Sequence, residues 1–147
     1  MLGNGMAYYV RQNGEPQNRI SLRLVVHAGS NMEDDDQRGV AHLVEHVVFD
    51  GTEHFGASAI DDYFRSIGMR SGADLNAYTS FDETVYKIEV PADDPSMLET
   101  GLLVLRDFAC AALFEDAQVD KERGIVTEDN LKDFLTKKFS QIEKLEM

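Results

Sequence analysis

The chain has 147 residues, 43% hydrophobic and 28% charged, which suits one globular domain long enough to bury a core. A formal net charge of -13 argues against nucleic acid or an anionic membrane as partner, and no apolar run reaches membrane-spanning length. One cysteine, Cys110, excludes an internal disulfide; it lies in an apolar helical run and is expected to be a packing residue.

Met1 to Val10 lacks both the basic start and the apolar stretch of a signal peptide. Within it, Gly5 to Arg11 (GMAYYVR) is expected to form a first strand, and Asn13-Gly14 with Pro16 marks a turn. Arg19 to His27 alternates strictly, with Ile20, Leu22, Leu24 and Val26 on one face, so the two runs are expected to pair as a hairpin. His27 falls on the other face as a surface residue. Ala28 to Asp36 is a loop whose Asp35 or Asp36 is placed to cap the next helix.

In that helix Val40, Leu43, Val44, Val47 and Val48 make one apolar stripe, and His42, Glu45 and His46 share the opposite side. Histidines one turn apart can reach a single point beside the helix. Neutral imidazoles hold Zn²⁺ at roughly 2.0 to 2.1 Å, and a carboxylate usually completes a hydrolytic site. A second carboxylate nearby takes the proton of the attacking water, a role for which Glu45 is the candidate. H-x-x-E-H is the inverse of the H-E-x-x-H metallopeptidase signature. Two plainer readings stand beside it: hydrogen-bonded core histidines, or a solvated polar face. The first conflicts with their place opposite the stripe. The second conflicts with the apolar surroundings, since these are the only polar side chains from Val40 to Phe49.

Asp50-Gly51 stops the helix, and His54 is expected to be a loop residue. Ser58 and Asp61 have capping-box spacing at the start of a second helix, with Ile60, Tyr63, Phe64 and Ile67 as its buried stripe. Ser71 to Ser80 and Thr84 to Val90 are expected to be two strands. Pro95 suits the first turn of a helix running to about Leu113, with Leu98, Leu102, Leu105, Phe108 and Ala109 toward the core. A last helix starts near Ala117 and carries Glu122, Glu128 and Asp129, of which Glu122 and Asp129 share a face. The order of elements predicts an α+β domain, an antiparallel or mixed sheet with helices packed on it.

Several blocks, LGNGMAYYV, LRLVVHAGS, GVAHLVEHVVFDGT, GMRSGADLNAYTSFDETVYKIEVP and DKERGIVTED, resemble in the same order the pitrilysin/insulinase family of inverted-motif zinc peptidases, which includes the mitochondrial processing peptidases. The likeness is greatest to bacterial members and covers Leu2 to about Asp129. It implies one Zn²⁺ per chain held by His42 and His46, with Glu45 as the base that activates water. It implies that Glu122 orients a ligand from outside the metal shell, and that Asn76 and Ala77 lie on the edge strand where extended peptide adds. The family's third ligand is a glutamate; the matching position is Asp129, one methylene shorter, with Glu128 as the alternative.

Residues 1–129 are thus expected to be the N-terminal part of a zinc peptidase domain and residues 130–147 a divergent amphipathic tail. In the tail, Leu131, Phe134, Leu135, Phe139, Ile142 and Leu145 form an apolar stripe. By resemblance the chain is a truncated member, expected to hydrolyse peptides or unfolded polypeptide and to need a second homologous domain or subunit, or self-association. The alternative is a catalytically impaired or non-catalytic member serving as a binding or assembly subunit. The resemblance implies a bacterial periplasm or cytoplasm as its compartment.

Overall fold

The alternation of Arg19–Val26 is realised as strand β1, which turns Ile20, Leu22 and Leu24 inward and Ser21, Arg23 and Val25 to solvent. The computed structural model describes the backbone of residues 1–143 and the side chains of residues 1–129. In it β1 joins β2 (Leu75–Thr79) and β3 (Thr84–Pro91) in an antiparallel sheet of order β1-β3-β2. The central place of β3 suits its sequence: Val85, Tyr86, Ile88 and Val90 are all buried. Register sets Leu24 and Ala77 on either side of Tyr86, and Leu22 and Leu75 on either side of Ile88. Rows of inward side chains therefore cross the sheet.

Helices α1 (Val40–Asp50), α2 (Ala59–Ser66) and α3 (Pro95–Cys110) complete the core with that face. Val48, Ile60, Phe64, Val104, Leu105 and Phe108 pack with Leu75, Tyr86, Ile88 and Val90, each such burial contributing about 1.5–3 kcal/mol. The fourth helix, α4 (Asp116–Glu143), packs beside α1. The architecture is α+β, as the element order predicts. No helix among the described residues is long and apolar enough to cross a membrane.

Several local expectations are corrected. Gly5–Arg11 forms no strand, and Tyr8, Tyr9 and Val10 are exposed; alternation needs an apolar surface to cover, and this run covers none. Asp35 pairs with Arg38 and caps nothing. Ser58 sits in the left-handed region (φ 64°) without a side-chain cap bond, and Asp61 instead faces Ser71 and Arg65.

In α3 the buried face is Gly101, Val104, Leu105 and Phe108, leaving Leu102 and Ala109 exposed. A Cβ on Gly101 would come 2.7 Å from Cδ1 of Leu22. Gly101 faces Leu22 of β1 and Val90 and Ile88 of β3, so the buried face of the helix is rotated from the leucine stripe. Asp94 caps α3 by accepting from the Ser96 N–H at 2.9 Å. Cys110 is exposed rather than packed, its thiol donating to the Arg106 carbonyl at 3.2 Å. The stripe of Leu131, Phe134, Leu135, Phe139, Ile142 and Leu145 lies outside the residues whose side chains are described.

Candidate metal centre

Helix α1 carries the histidine pair, and long-range contacts hold it at both ends. At its start Gly39 takes a left-handed φ of 94°, and the Glu33 carboxylate accepts the N–H groups of Gly39 and Ala41, each at 2.8 Å. A carboxylate there offsets the unpaired amides and the positive end of the helix dipole. The preceding loop is stitched to the turn between β2 and β3, where Ser30 and Asn31 donate to the Ser80 and Phe81 carbonyls at 3.1 and 2.9 Å. Only glycine fits at position 29, since a Cβ would lie 2.3 Å from the Ser80 carbonyl oxygen.

At the far end Asp107 of α3, fully buried, gathers the loop after α1. It accepts the Thr52 hydroxyl at 2.7 Å, the His54 backbone N–H at 3.2 Å and His54 Nδ1 at 3.0 Å. Burial pushes the Asp107 carboxyl up, but these donors outweigh it and hold the group below the usual carboxylate range. His54 is thus a tether between loop and helix.

Between these anchors, Nε2 of His42 and Nε2 of His46 approach to 3.2 Å, with ring centroids 4.8 Å apart. With metal bonds of roughly 2.0–2.1 Å, that separation corresponds to an angle of about 100° at a shared ion, near tetrahedral. Nδ1 of His46 lies 2.9 Å from Oε2 of buried Glu122 on α4. Burial opposes charge on Glu122, yet hydrogen bonds from Lys121 and His46 keep its carboxyl below the usual range. A carboxylate only accepts, so Nδ1 of His46 carries a hydrogen, and in the neutral ring that leaves the lone pair on Nε2. Lys121 also reaches Asp50 of α1 at 3.2 Å, and its own pKa is raised by the Glu122 and Asp50 hydrogen bonds. The α1–α4 pairing that sets His46 is therefore ionic as well as packed.

Glu45 is buried beside the histidines, its Oε2 accepting the Thr79 hydroxyl at 2.8 Å. Burial first, and then the Glu45 charge, push the Tyr86 hydroxyl up to about 12, so Tyr86 stays neutral against this carboxylate. A cleft of about 300 Å³ is lined by Glu45, His46, Asn76, Ala77 and Glu122. Asn76 and Ala77 lie on β2, an edge strand, and the Ala77 N–H is covered by Asn76 Oδ1 at 2.8 Å.

The structure thus brings together His42, His46, Glu45 and Glu122, with Asn76 and Ala77 across the cleft. Among the described residues, no group of three or more His, Cys, Asp or Glu side chains is arranged to hold a metal ion. The two imidazoles suit zinc as donors and in spacing. Glu128 is exposed and Asp129 half-buried, both on α4 beyond Glu122. Sequence reasoning missed Glu33, Thr79 and Asp107, which act on partners 8, 34 and 55 residues away.

The model of the insulinase family, peptidase family M16, matches residues 8–145. The probable zinc protease PqqL of Escherichia coli (strain K12) is 40% identical over 128 residues, which are 87% of this chain and 14% of that protein. The crystal structure of the first half of the periplasmic protease PqqL from Escherichia coli aligns with a TM-score of 0.73 at 41% identity, covering 78% of this chain and 24% of that one. Cytochrome b-c1 complex subunit 1, mitochondrial, of Bos taurus is 29% identical over 128 residues, 87% of this chain and 25% of that protein. The chain spans a minor part of the length of each relative.

Proposed function

Because the chain belongs to the insulinase family of peptidases, M16, we propose that it forms part of a zinc-dependent metalloendopeptidase domain acting on peptides or unfolded polypeptide. One observation carries this reading: the two Nε2 atoms meet at 3.2 Å beside buried Glu45, with His46 held from behind by Glu122. His42 and His46 would hold one Zn²⁺ per chain, with Asp129, or alternatively Glu128, as third ligand. When bound, the ion polarises the scissile carbonyl and makes water more acidic.

The chain's own groups carry the other tasks. Glu45 takes the proton of the attacking water and passes it to the leaving nitrogen as the amide bond breaks. Glu122 keeps the His46 Nδ1–H engaged, which fixes ring orientation. Asn76 and Ala77 offer the edge of β2 to an extended peptide, whose backbone adds as a further strand once Asn76 Oδ1 gives up the Ala77 N–H. A second homologous domain or subunit, or self-association, would close the cleft. The periplasmic designation of PqqL supports a bacterial periplasm over the cytoplasm as the compartment.

Zinc per chain, measured on protein purified without a metal-affinity tag, tests the site. About one equivalent is expected, reduced by Asp129→Ala and retained by Glu128→Ala; the reverse pattern would transfer the third ligand to Glu128. Cleavage of an unfolded peptide should be abolished by a chelator and by Glu45→Gln. Equal activity of Glu45→Gln and wild type would sink the mechanism. A second reading, a binding or assembly subunit, is favoured by the likeness to cytochrome b-c1 complex subunit 1, a relative whose name is that of a subunit in a complex. Zinc without cleavage, or neither, would support it.

A further inference from the structure

Thr79 ends β2, three residues after Asn76, and its hydroxyl lies 2.8 Å from Oε2 of Glu45. The direction of this bond follows from chemistry, because a carboxylate only accepts. Thr84 stands opposite Thr79 in register, with its hydroxyl oxygen 3.4 Å from that of Thr79. The single hydroxyl proton of Thr84 has a better acceptor in the Ala28 carbonyl at 3.0 Å. The proton of Thr79 is accordingly committed to Glu45, while Thr84 anchors β3 to the loop before α1.

Glu45 is buried, where one hydrogen bond to a carboxylate has more effect on orientation than it would in water. With Oε2 held by Thr79, Oε1 is left to act on water in the cleft. We propose that Thr79 is a positioning residue that holds Glu45 in the orientation needed for proton transfer. This rests on the reading of Glu45 as the base. The strand that presents Asn76 and Ala77 to a peptide then also fixes the base, so one rigid element sets substrate backbone and proton acceptor in a common frame. The contact joins two elements far apart in sequence, β2 and α1, and engages neither imidazole.

The test compares Thr79→Val, which keeps the shape and removes the hydroxyl, with Thr79→Ser, which restores it. Crystal structures of the 147-residue variants give the position of Glu45. Elemental analysis gives their zinc, and peptide cleavage separates kcat from KM. In Thr79→Val the Glu45 carboxylate is expected to leave its wild-type position, with zinc content unchanged. Its kcat should fall roughly tenfold to a hundredfold at unchanged KM, and Thr79→Ser should recover both position and kcat. An undisplaced Glu45 in Thr79→Val, or an unchanged kcat, would overturn the proposal. If the wild-type chain cleaves no peptide without the domain or subunit that closes the cleft, kcat is silent on Glu45 as base, and the position of Glu45 in Thr79→Val alone decides whether Thr79 holds it.

Discussion

Glu122 divides its work between its two oxygens: Oε2 fixes His46 at 2.9 Å, while Oε1 pairs with Lys121 at 2.7 Å. If the His42–His46 pair is a zinc site, truncating this outer carboxylate frees the His46 ring and weakens metal binding by about 10- to 100-fold. Glu122→Ala should show that loss in competition with a chromophoric chelator, and Glu122→Gln, which still accepts from Nδ1, should lose less. Equal affinity in all three proteins would remove Glu122 from the site. His42, Glu45 and His46 were legible in the sequence because spacings of three and four residues define one side of a helix without tertiary knowledge. Glu122 was a candidate from its place on the last helix, but its outer role was legible only through family blocks, since nothing local distinguishes a glutamate that turns toward another helix from one that faces solvent. Thr79 and Asp107 were not legible, for their roles consist in contacts across 34 and 55 residues.

Helix α1 shows how a functional element is held by groups outside it. Glu33, six residues before the N-cap, satisfies two amides of its first turn. Replacing such a cap costs about 0.5–2 kcal/mol, so Glu33→Ala should lose about that much unfolding free energy, read as a lower urea midpoint at unchanged m, and Glu33→Gln less because one acceptor oxygen remains. A midpoint unchanged in Glu33→Ala would show the cap to be energetically idle. The nearer candidates, Asp35 and Asp36, fail because a left-handed Gly39 brings the chain back over itself and lets a longer side chain arrive from further upstream. The same lesson recurs in α3: Gly101 adds nothing to an apolar stripe, yet its bare backbone lets the helix settle on Leu22. Periodicity located β1, α1 and α2, because each buries one face; α3 was marked by Pro95, and its leucine stripe is not its buried face. Periodicity misplaced Gly5–Arg11, whose alternation has no covering surface.

For the chain as a whole, acid stability follows from carboxylates that folding holds ionised. Asp74 is held below the usual 3.8 chiefly by the Arg70 backbone N–H, Asp94 by that of Ser96, and Asp107 by the donors that outweigh its burial. The sign is common to all three. A folded pKa below the unfolded one means that the unfolded chain binds protons first as pH falls. The stabilisation is therefore complete above the unfolded value and lost as pH falls through the folded one. Surface carboxylates behind the net charge of -13 act oppositely, since their protonation relieves repulsion, but that part is screened by salt. Asp107 isolates the buried contribution. Asparagine cannot accept all three donors, so Asp107→Asn should cost about 1–3 kcal/mol at pH 7, read from urea unfolding in 0.5 M salt. The gap between wild type and variant should narrow as pH falls below about 3.8. A gap that stays constant through pH 3 would mean that the lost hydrogen bonds alone, and not the charge on Asp107, join the loop of Thr52 and His54 to α3.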